Sequence, residues 1–270
     1  MDRIDLQLLN LLRQRTKIAE KIGRTKLRHG LDIYVPGRER ELLARIHRRS
    51  RGRIDPSAVA AIYREILSSS RAAQGQPPIG VLADAAEITL AAARSSFGAC
   101  DRFVAKKSWS ELARALKARR LALAVVTGED LLDLIEAPRA RHAFAGAFTV
   151  AGEIGPLPAR EPLAGAPLFI LTLRSSDPLP KANRLLILIE CKPAVNAVKT
   201  LLKPMAARFT KAELCARSTG GDASHSLVRL ETSAPFDPSL MARSFQAAAA
   251  AAALHVTILG AYPGPENYGG

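Results

Sequence analysis

The sequence is poor in the residues that build disulfides, metal sites and membrane spans. Its 270 residues include three cysteines, Cys100, Cys191 and Cys215, whose wide separation suits neither a disulfide framework nor a metal-ligand motif. The five histidines are scattered without a zinc pattern, so we expect neither a metal nor another cofactor. No apolar run reaches the roughly 18 residues of a membrane-spanning helix, and the charged N-terminus lacks an apolar signal region. These absences predict a cytoplasmic protein with no membrane partner.

Acidic residues are scarce relative to basic ones. The whole chain has 39 Lys and Arg against 25 Asp and Glu, and residues 1–71 hold 17 basic and 8 acidic residues, a net charge of +9. A basic helical segment can attract nucleic acid, a membrane surface or a small polyanion. This segment has few aromatic residues and no helix-turn-helix signature, so we predict no nucleic-acid partner.

A long first helix is predicted over residues 4–28, where apolar residues recur at helical spacing. Its apolar stripe consists of Ile4, Leu8, Leu11, Leu12, Ile18 and Ile22. Because apolar residues cover much of its girth, such a helix usually needs a partner chain, and we expect a homodimer. Arg15 and Lys26 lie eleven residues apart, close to three turns, so they project from one side beside the stripe. Considered alone, two such cations are more often solvated surface charges than a site.

Two shorter helices follow. Pro36 lies near the start of a helix predicted over residues 37–49, and Asp55-Pro56 supplies the cap and first turn of a third helix. Ser70 and Gln74 are four residues apart near the end of that helix, hence on one face. Three segments, RQRTKIAEKIGRTK, PGRERELL and IYREILSSSRAAQ, together resemble the all-helical chorismate mutase family over residues 1–75.

The resemblance implies a three-helix domain that forms an intertwined dimer and rearranges chorismate, a dianion, to prephenate. This Claisen rearrangement is unimolecular, without proton transfer or a covalent intermediate. Catalysis then rests on fixing a compact conformer and stabilising charge on the ether oxygen. The family pattern places Arg15 on a carboxylate, Lys26 and Gln74 on the ether oxygen, Glu39 on the ring hydroxyl, Arg38 as charge support, Ser70 near a carboxylate and Val35 near the hydroxyl.

The chain departs from the family pattern at two places. Relatives usually carry another arginine one or two turns before the position of Ile4, and the sequence as given starts too late to include it. We expect an upstream extension, a substitution by Arg3, or weakened activity. Val35 stands where relatives often have an acidic residue, so we expect its backbone alone to contact the hydroxyl.

Residues 79–176 alternate between predicted strands and helices, which favours a small α/β segment with some parallel pairing. The segment resembles prephenate dehydratase, with GVLADAAEITLAAA where that family has its opening strand and glycine-rich turn, but without the glycines. PLFILTL stands where the family has its Thr-Arg-Phe motif, and the second lobe is missing. Since a dehydratase needs a positioned acid for its leaving hydroxyl, we predict a remnant that has lost this activity and serves as a scaffold.

Residues 182–264 read as strand, helix, two strands, helix and strand, the ferredoxin-like order. This region resembles the ACT regulatory domain, with ILGAYP as its most specific part. In that family two segments bind phenylalanine, and they correspond here to residues 193–196, ending at Asn196, and residues 215–218, which include Arg217. Only Arg217 is kept, so we expect a dimerising module without a ligand, and control by phenylalanine stays open.

The predicted fold class is therefore multidomain, with an all-α mutase-like domain, a small α/β segment and an α+β ferredoxin-like domain. The predicted function is that of a chorismate mutase in phenylalanine and tyrosine biosynthesis. Two alternatives stay open, a non-catalytic regulatory or partner-binding protein and an enzyme that removes pyruvate from isochorismate. Convergence of the predicted site residues in one pocket across a dimer would separate the catalytic interpretation from the non-catalytic one.

Overall fold

The computed structural model describes residues 1–50, 54–83, 86–135, 144, 146–154, 167–174, 182–191, 197–203, 208–220, 223–252 and 254–264. The chain divides into two compact units, one containing Met1–Ala124 and the other Val125–Pro265. The first unit combines the helical region with the first strands of the α/β segment. The predicted three-way division at 1–75, 79–176 and 182–264 stays a prediction.

Three helices open the first unit. They are α1 (Asp2–Arg28), α2 (Pro36–Arg49) and α3 (Pro56–Ala73), as the sequence pattern predicted. The cap of α3 is built as expected, because the Asp55 carboxylate accepts hydrogen bonds from the backbone N–H groups of Ser57 and Ala58. Just beyond α1, Gly30 takes a φ of 63°, a left-handed conformation that suits glycine after a helix.

Small residues let α1 lie close against α3. Ala19 and Gly23 are the buried residues of α1, and they share one face with Arg15 and Lys26. A Cβ atom built on Gly23 would lie 2.6 Å from Cα and 2.8 Å from the carbonyl carbon of Gln74. Only glycine therefore permits this approach, which brings the C-terminal third of α1 to the C-terminal end of α3.

The apolar stripe on α1, for which the sequence predicts a partner chain, is exposed in the single chain. The exposed fractions are 53% for Ile4, 54% for Leu8, 61% for Leu11, 42% for Leu12 and 58% for Ile18. The buried residues of α1, Ala19 and Gly23, lie in its C-terminal half, whereas residues 1–14 are exposed. The apolar stripe therefore forms an exposed apolar surface on α1.

The rest of the first unit starts an α/β arrangement. Strand β1 (Ile79–Leu82) pairs in parallel with β2 (Phe103–Lys106), and α4 (Ala86–Phe97) connects them. Helix α5 (Trp109–Lys117) follows, and β3 (Leu123–Val126), which begins in this unit, is the other neighbour of β1. This parallel pairing confirms the expectation from the alternating pattern.

The second unit starts with α6 (Gly128–Ile135) and an antiparallel pair, β4 (Phe148–Ile154) with β5 (Leu168–Leu173). A four-stranded antiparallel sheet follows, with strand order β7-β8-β6-β9. Its elements are β6 (Ala182–Cys191), α7 (Ala197–Leu202), β7 (Lys211–Gly220), β8 (Ala223–Phe236), α8 (Pro238–Ala251) and β9 (His255–Tyr262). This is the predicted strand and helix order of a ferredoxin-like fold.

A buried ionic cluster joins β4 to this sheet. The side chain of Glu153 is 2% exposed and forms ion pairs with Arg184 and Arg229. Tyr262 donates a hydrogen bond to the same carboxylate, with 3.3 Å between the oxygens. Because both arginines also pair with further carboxylates, Glu231 and Glu213, the buried charges are compensated.

Across the helices that the structure describes, none combines the length and apolar character needed to cross a membrane. Among the described side chains, no group of three or more His, Cys, Asp or Glu could hold a metal ion.

Candidate functional site

Lys26 lies on the α1 face that packs against α3, and the loop after α1 holds its ammonium group. The Nζ atom donates to the carbonyl oxygens of Asp32 at 3.0 Å and Ile33 at 2.9 Å. Burial lowers the pKa of Lys26, the positive charge of Arg38 lowers it further, and Glu39 and Asp32 oppose the shift. Lys26 is thus a partly desolvated cation with a second cation and a carboxylate nearby.

Arg15 lies three turns earlier on the same face. Its Nη1 atom donates to the carbonyl oxygen of Ile66 on α3, at 3.4 Å. Burial lowers the pKa of Arg15, while Tyr63 and Glu39 act in the opposite direction. The predicted alignment of Arg15 with Lys26 therefore holds in the structure, where both side chains are half-buried beside α3.

Ser70 and Gln74 stand on the end of α3 that faces these cations. Ser70 is buried and its hydroxyl donates to the Ile66 carbonyl oxygen at 2.7 Å, the same oxygen that Arg15 contacts. The side-chain amide of Gln74 donates to the Ser70 carbonyl oxygen at 3.1 Å. Its backbone lies directly against Gly23 of α1. The structure therefore places Arg15 and Ser70 at one shared carbonyl oxygen, and Gln74 one turn further along α3, beside Gly23.

Glu39 comes from the first turn of α2 and is held by a buried arginine. Its Oε2 atom accepts a hydrogen bond from Arg71 Nη1 at 2.6 Å. Burial raises the pKa of Glu39, whereas the charge and hydrogen bond of Arg71 lower it, and Asp101 raises it again. The charge of Glu39 opposes the lowering of the pKa of both Arg15 and Lys26.

Arg38 and Val35 lie at the edge of this group. Both side chains are exposed. Arg38 is nonetheless close enough to lower the pKa of Lys26, which is compatible with a supporting charge. The backbone of Val35 caps α2, and its carbonyl oxygen accepts a hydrogen bond from the Glu39 N–H at 3.2 Å. That oxygen is therefore already engaged within the helix.

Three further predicted positions lie apart from this group. Arg3 is exposed in the first turn of α1, away from the α1–α3 contact. Arg217 is on β7, where its Nε atom donates to the hydroxyl of Ser226 at 3.3 Å. Asn196 lies outside the described residues. A ligand role for Arg217 and Asn196 stays a prediction.

The sequence interpretation missed Arg71, the residue that holds Glu39. Arg71 lies inside the quoted SSSRAAQ segment, between Ser70 and Gln74, so the signal was a charged residue on the buried side of an amphipathic helix. Its second partner, Asp101, is thirty residues away in sequence. Nothing in the pattern around Asp101 links it to the helical region.

Chemically, the group suits a small dianion. It combines two half-buried cations, a neutral amide donor, a hydroxyl and a carboxylate, and it contains no nucleophile paired with a base. Partly desolvated cations bind carboxylates more strongly than solvated ones, because the effective dielectric constant is lower. Such a site can bind and orient an anionic substrate and stabilise developing negative charge.

Comparison with known proteins points to one family for the N-terminal region. Residues 1–75 match the family described as "Chorismate mutase type II". The chain is also similar to the "Bifunctional chorismate mutase/prephenate dehydratase" of Aquifex aeolicus (strain VF5), with 31% identity over 137 residues. That alignment covers 49% of this chain and 38% of the relative, so the chain spans about two fifths of that protein's length. Because the alignment is longer than the family match, the likeness extends into the α/β segment.

Two solved structures are similar at low sequence identity. One is titled "X-ray structure of prephenate dehydratase from Streptococcus mutans", with 16% identity, a TM-score of 0.46, and coverage of 70% of this chain and 98% of that one. The other is titled "GqqA- a novel type of quorum quenching acylases", with 18% identity, a TM-score of 0.48, and coverage of 68% and 94%. The match to the type II family covers the three N-terminal helices, and the α/β region follows them.

Proposed function

We propose that this chain is a chorismate mutase that converts chorismate to prephenate in phenylalanine and tyrosine biosynthesis. The observation that carries the proposal is that Arg15 contacts α3, Lys26 donates to the loop before α2 and Glu39 lies in the first turn of α2, all within the segment that matches the type II family. These are the charges that a dianionic substrate with a ring hydroxyl requires.

In the proposed mechanism the residues bind and orient rather than react. Arg15 binds one substrate carboxylate, with Ser70 beside it. Lys26 Nζ and Gln74 Nε2 turn from their present carbonyl partners to the ether oxygen, where negative charge develops as the bond breaks. Glu39 accepts a hydrogen bond from the ring hydroxyl and Arg38 supports the charge balance. Fixing the compact conformer supplies the remaining rate enhancement.

We propose that a second copy of this chain covers the apolar stripe of α1. The stripe is exposed along the N-terminal half of the helix, and it continues the face that packs against α3. The first turn carries Asp2 and Asp5, whereas the last turn carries Lys26 and Arg28. An antiparallel pair of α1 helices therefore places opposite charges and opposite helix dipoles side by side. This is the homodimer that the family resemblance implies.

Sedimentation equilibrium tests this dimer. We expect the purified chain to sediment at twice its 29.0 kDa mass, and Leu8→Lys to sediment as a monomer, because a buried lysine in the interface would be unpaired. Asn10→Lys adds the same charge on the opposite side of α1 and leaves the dimer intact. A monomeric wild-type chain, or a Leu8→Lys variant that stays dimeric, would contradict the proposal.

We propose further that the α/β segment has lost dehydratase activity and that residues 182–264 form an ACT-like dimerising module. The missing Thr-Arg-Phe motif supports the first part. The strand order β7-β8-β6-β9, with two helices in the βαββαβ order, supports the second. Phenylalanine binding at Arg217 and Asn196 is the form of control that the same resemblance leaves open.

The test of the mutase proposal follows chorismate absorbance and analyses the product. We expect purified protein to consume chorismate and accumulate prephenate, with phenylpyruvate no higher than the acid-catalysed background. Gln74→Glu replaces a neutral donor by a carboxylate that repels developing negative charge, so we expect activity near neutral pH to fall at least tenfold. Release of pyruvate from isochorismate would instead favour the lyase alternative. A folded dimer inactive on both substrates would favour a non-catalytic regulatory protein.

A further inference from the structure

Arg71 is a buried cation shared by two carboxylates. Its side chain is 3% exposed, and it contacts Glu39 through Nη1 and Asp101 through Nε and Nη2. The guanidinium also donates to the Phe97 carbonyl oxygen and lies 5.9 Å from the ring centroid of Tyr34. Since the group is planar and rigid, the contact with Asp101 determines where Nη1 points.

Asp101 follows α4, outside the helical region, yet α3 and the segment after it hold its carboxylate. Its side chain is 2% exposed. It accepts hydrogen bonds from Ser68 Oγ at 2.8 Å, Gln76 Nε2 at 3.0 Å and Arg71 Nη2 at 2.7 Å. Its backbone N–H also donates to Ser68. Four contacts thus fix a carboxylate that does not itself reach the group around Lys26.

Arg71 therefore links Asp101 to Glu39, so that the position of Asp101 determines how Arg71 contacts Glu39. Nε and Nη2 form a two-point contact with Asp101, and only Nη1 extends 2.6 Å to Glu39. Without Asp101, only the Phe97 carbonyl oxygen would hold Nη2, and the guanidinium could turn to pair with both oxygens of Glu39. The carboxylate of Glu39 would then rotate away from the orientation that it has in the structure.

We propose that Asp101, acting through Arg71, positions Glu39 for the reaction. The α/β segment would then contribute a positioning residue to the site in the helical region. The inference rests on the function proposed above. Asp101 is in this view a positioning residue, because it touches no reacting atom. It also explains why a segment that has lost its own catalytic motif would be kept beside the helices.

The test compares Asp101→Asn with wild type in the full chain. Asparagine keeps the shape but loses the charge and one acceptor oxygen, so we expect kcat to fall about tenfold with KM within about twofold, as for a misplaced orienting group. Glu65→Gln is the matched control. Glu65 accepts from the Ala99 N–H at 3.0 Å, two residues from Asp101, and does not contact Arg71. It should keep wild-type kcat.

A second measurement separates positioning from stability. The charged and titratable groups around Glu39 are Lys26 and Arg15 on α1, Tyr34 before α2, Arg71 on α3, and Asp101. Asp101 raises the pKa of Glu39, so Asp101→Asn should lower it. The acid limb of the kcat/KM profile and the ¹³C carboxyl titration of Glu39 should both move to lower pH. A purely structural role would lower the unfolding temperature and leave both unchanged.

The outcomes are distinct. If wild type does not rearrange chorismate, the proposed function fails, and the Glu39 titration alone then decides whether Asp101 controls this carboxylate. If wild type is active while Asp101→Asn keeps kcat and leaves the titration unmoved, the positioning role is overturned.

A second variant, Gln76→Leu, serves if Asp101→Asn does not fold. It removes the amide N–H that donates to Asp101, together with the Gln76 side-chain oxygen, which is buried without a hydrogen-bond partner. It should lower kcat about threefold, and wild-type kcat there would overturn the inference.

Discussion

Lys26→Met should lower kcat for chorismate rearrangement by about two to three orders of magnitude, the largest effect that we expect from one side chain. The ammonium is the half-buried cation assigned to the ether oxygen, and removal of one donor to developing negative charge typically costs 10²- to 10³-fold in kcat. Methionine keeps the length and apolar stem of lysine, so the change isolates the charge and the donor. Steady-state kinetics on the purified protein measure it.

The same variant should fold at least as well as wild type. Burial lowers the pKa of Lys26, so the folded chain disfavours its charged form, and a neutral side chain avoids that penalty. Loss of activity with an unchanged or higher unfolding temperature is the signature of a residue kept for function. Lys21→Met provides the control, since Lys21 is exposed on another side of α1. Equal kinetics for both variants would remove Lys26 from the mechanism.

The lowered pKa also determines the direction of the alkaline limb. Lys26 loses its proton at a lower pH than an ordinary lysine because burial and Arg38 both disfavour the cation. Activity that depends on the ammonium is therefore full at low pH and falls as pH rises through this lowered pKa. Arg15, whose ordinary pKa is far higher, keeps its charge across that range.

Local rules predicted the helical region well. The three helices, the Asp55 cap and the shared face of Arg15 and Lys26 all follow from periodicity and capping, which depend on residues within a few turns. The approach of Gln74 to α1 depends instead on Gly23, whose missing side chain carries no periodic signal. Spacing within one helix cannot reveal which helix will pack against it.

Contacts between distant segments explain the remaining misses. Arg71 contacts Asp101, which lies thirty residues later in the sequence and in the α/β segment rather than the helical region. No sequence pattern in one segment identifies its partner in another. The exposed stripe of α1 has a different cause. The pattern correctly showed that the residues are apolar and periodic, and the expectation that a partner chain covers them stays a prediction.

Gly23→Ala should both destabilise the protein and lower kcat by about 100-fold. The added Cβ would lie 2.6 Å from the Gln74 Cα atom, and no side-chain rotation can relieve a contact with backbone. Overpacking of this kind costs about 1–3 kcal/mol, whereas alanine in a helix gains up to about 1 kcal/mol over glycine, so the net effect should be destabilising. The helices must separate, which moves Lys26 away from Gln74, and a displacement of about 1 Å can cost 10²-fold in rate.

Thr25→Ala is the matched control for Gly23→Ala. Thr25 is exposed two residues later on the same helix, so the change alters helix propensity without entering the contact with α3. Chemical denaturation and steady-state kinetics on both variants separate the two effects. If Gly23→Ala is more stable than wild type and retains its kcat, an alanine side chain fits at the point where the structure places the backbone of α1 against the backbone of Gln74. In that case the α1–α3 contact is not what brings Lys26 to Gln74, and the site would have to be assembled from another face of α1.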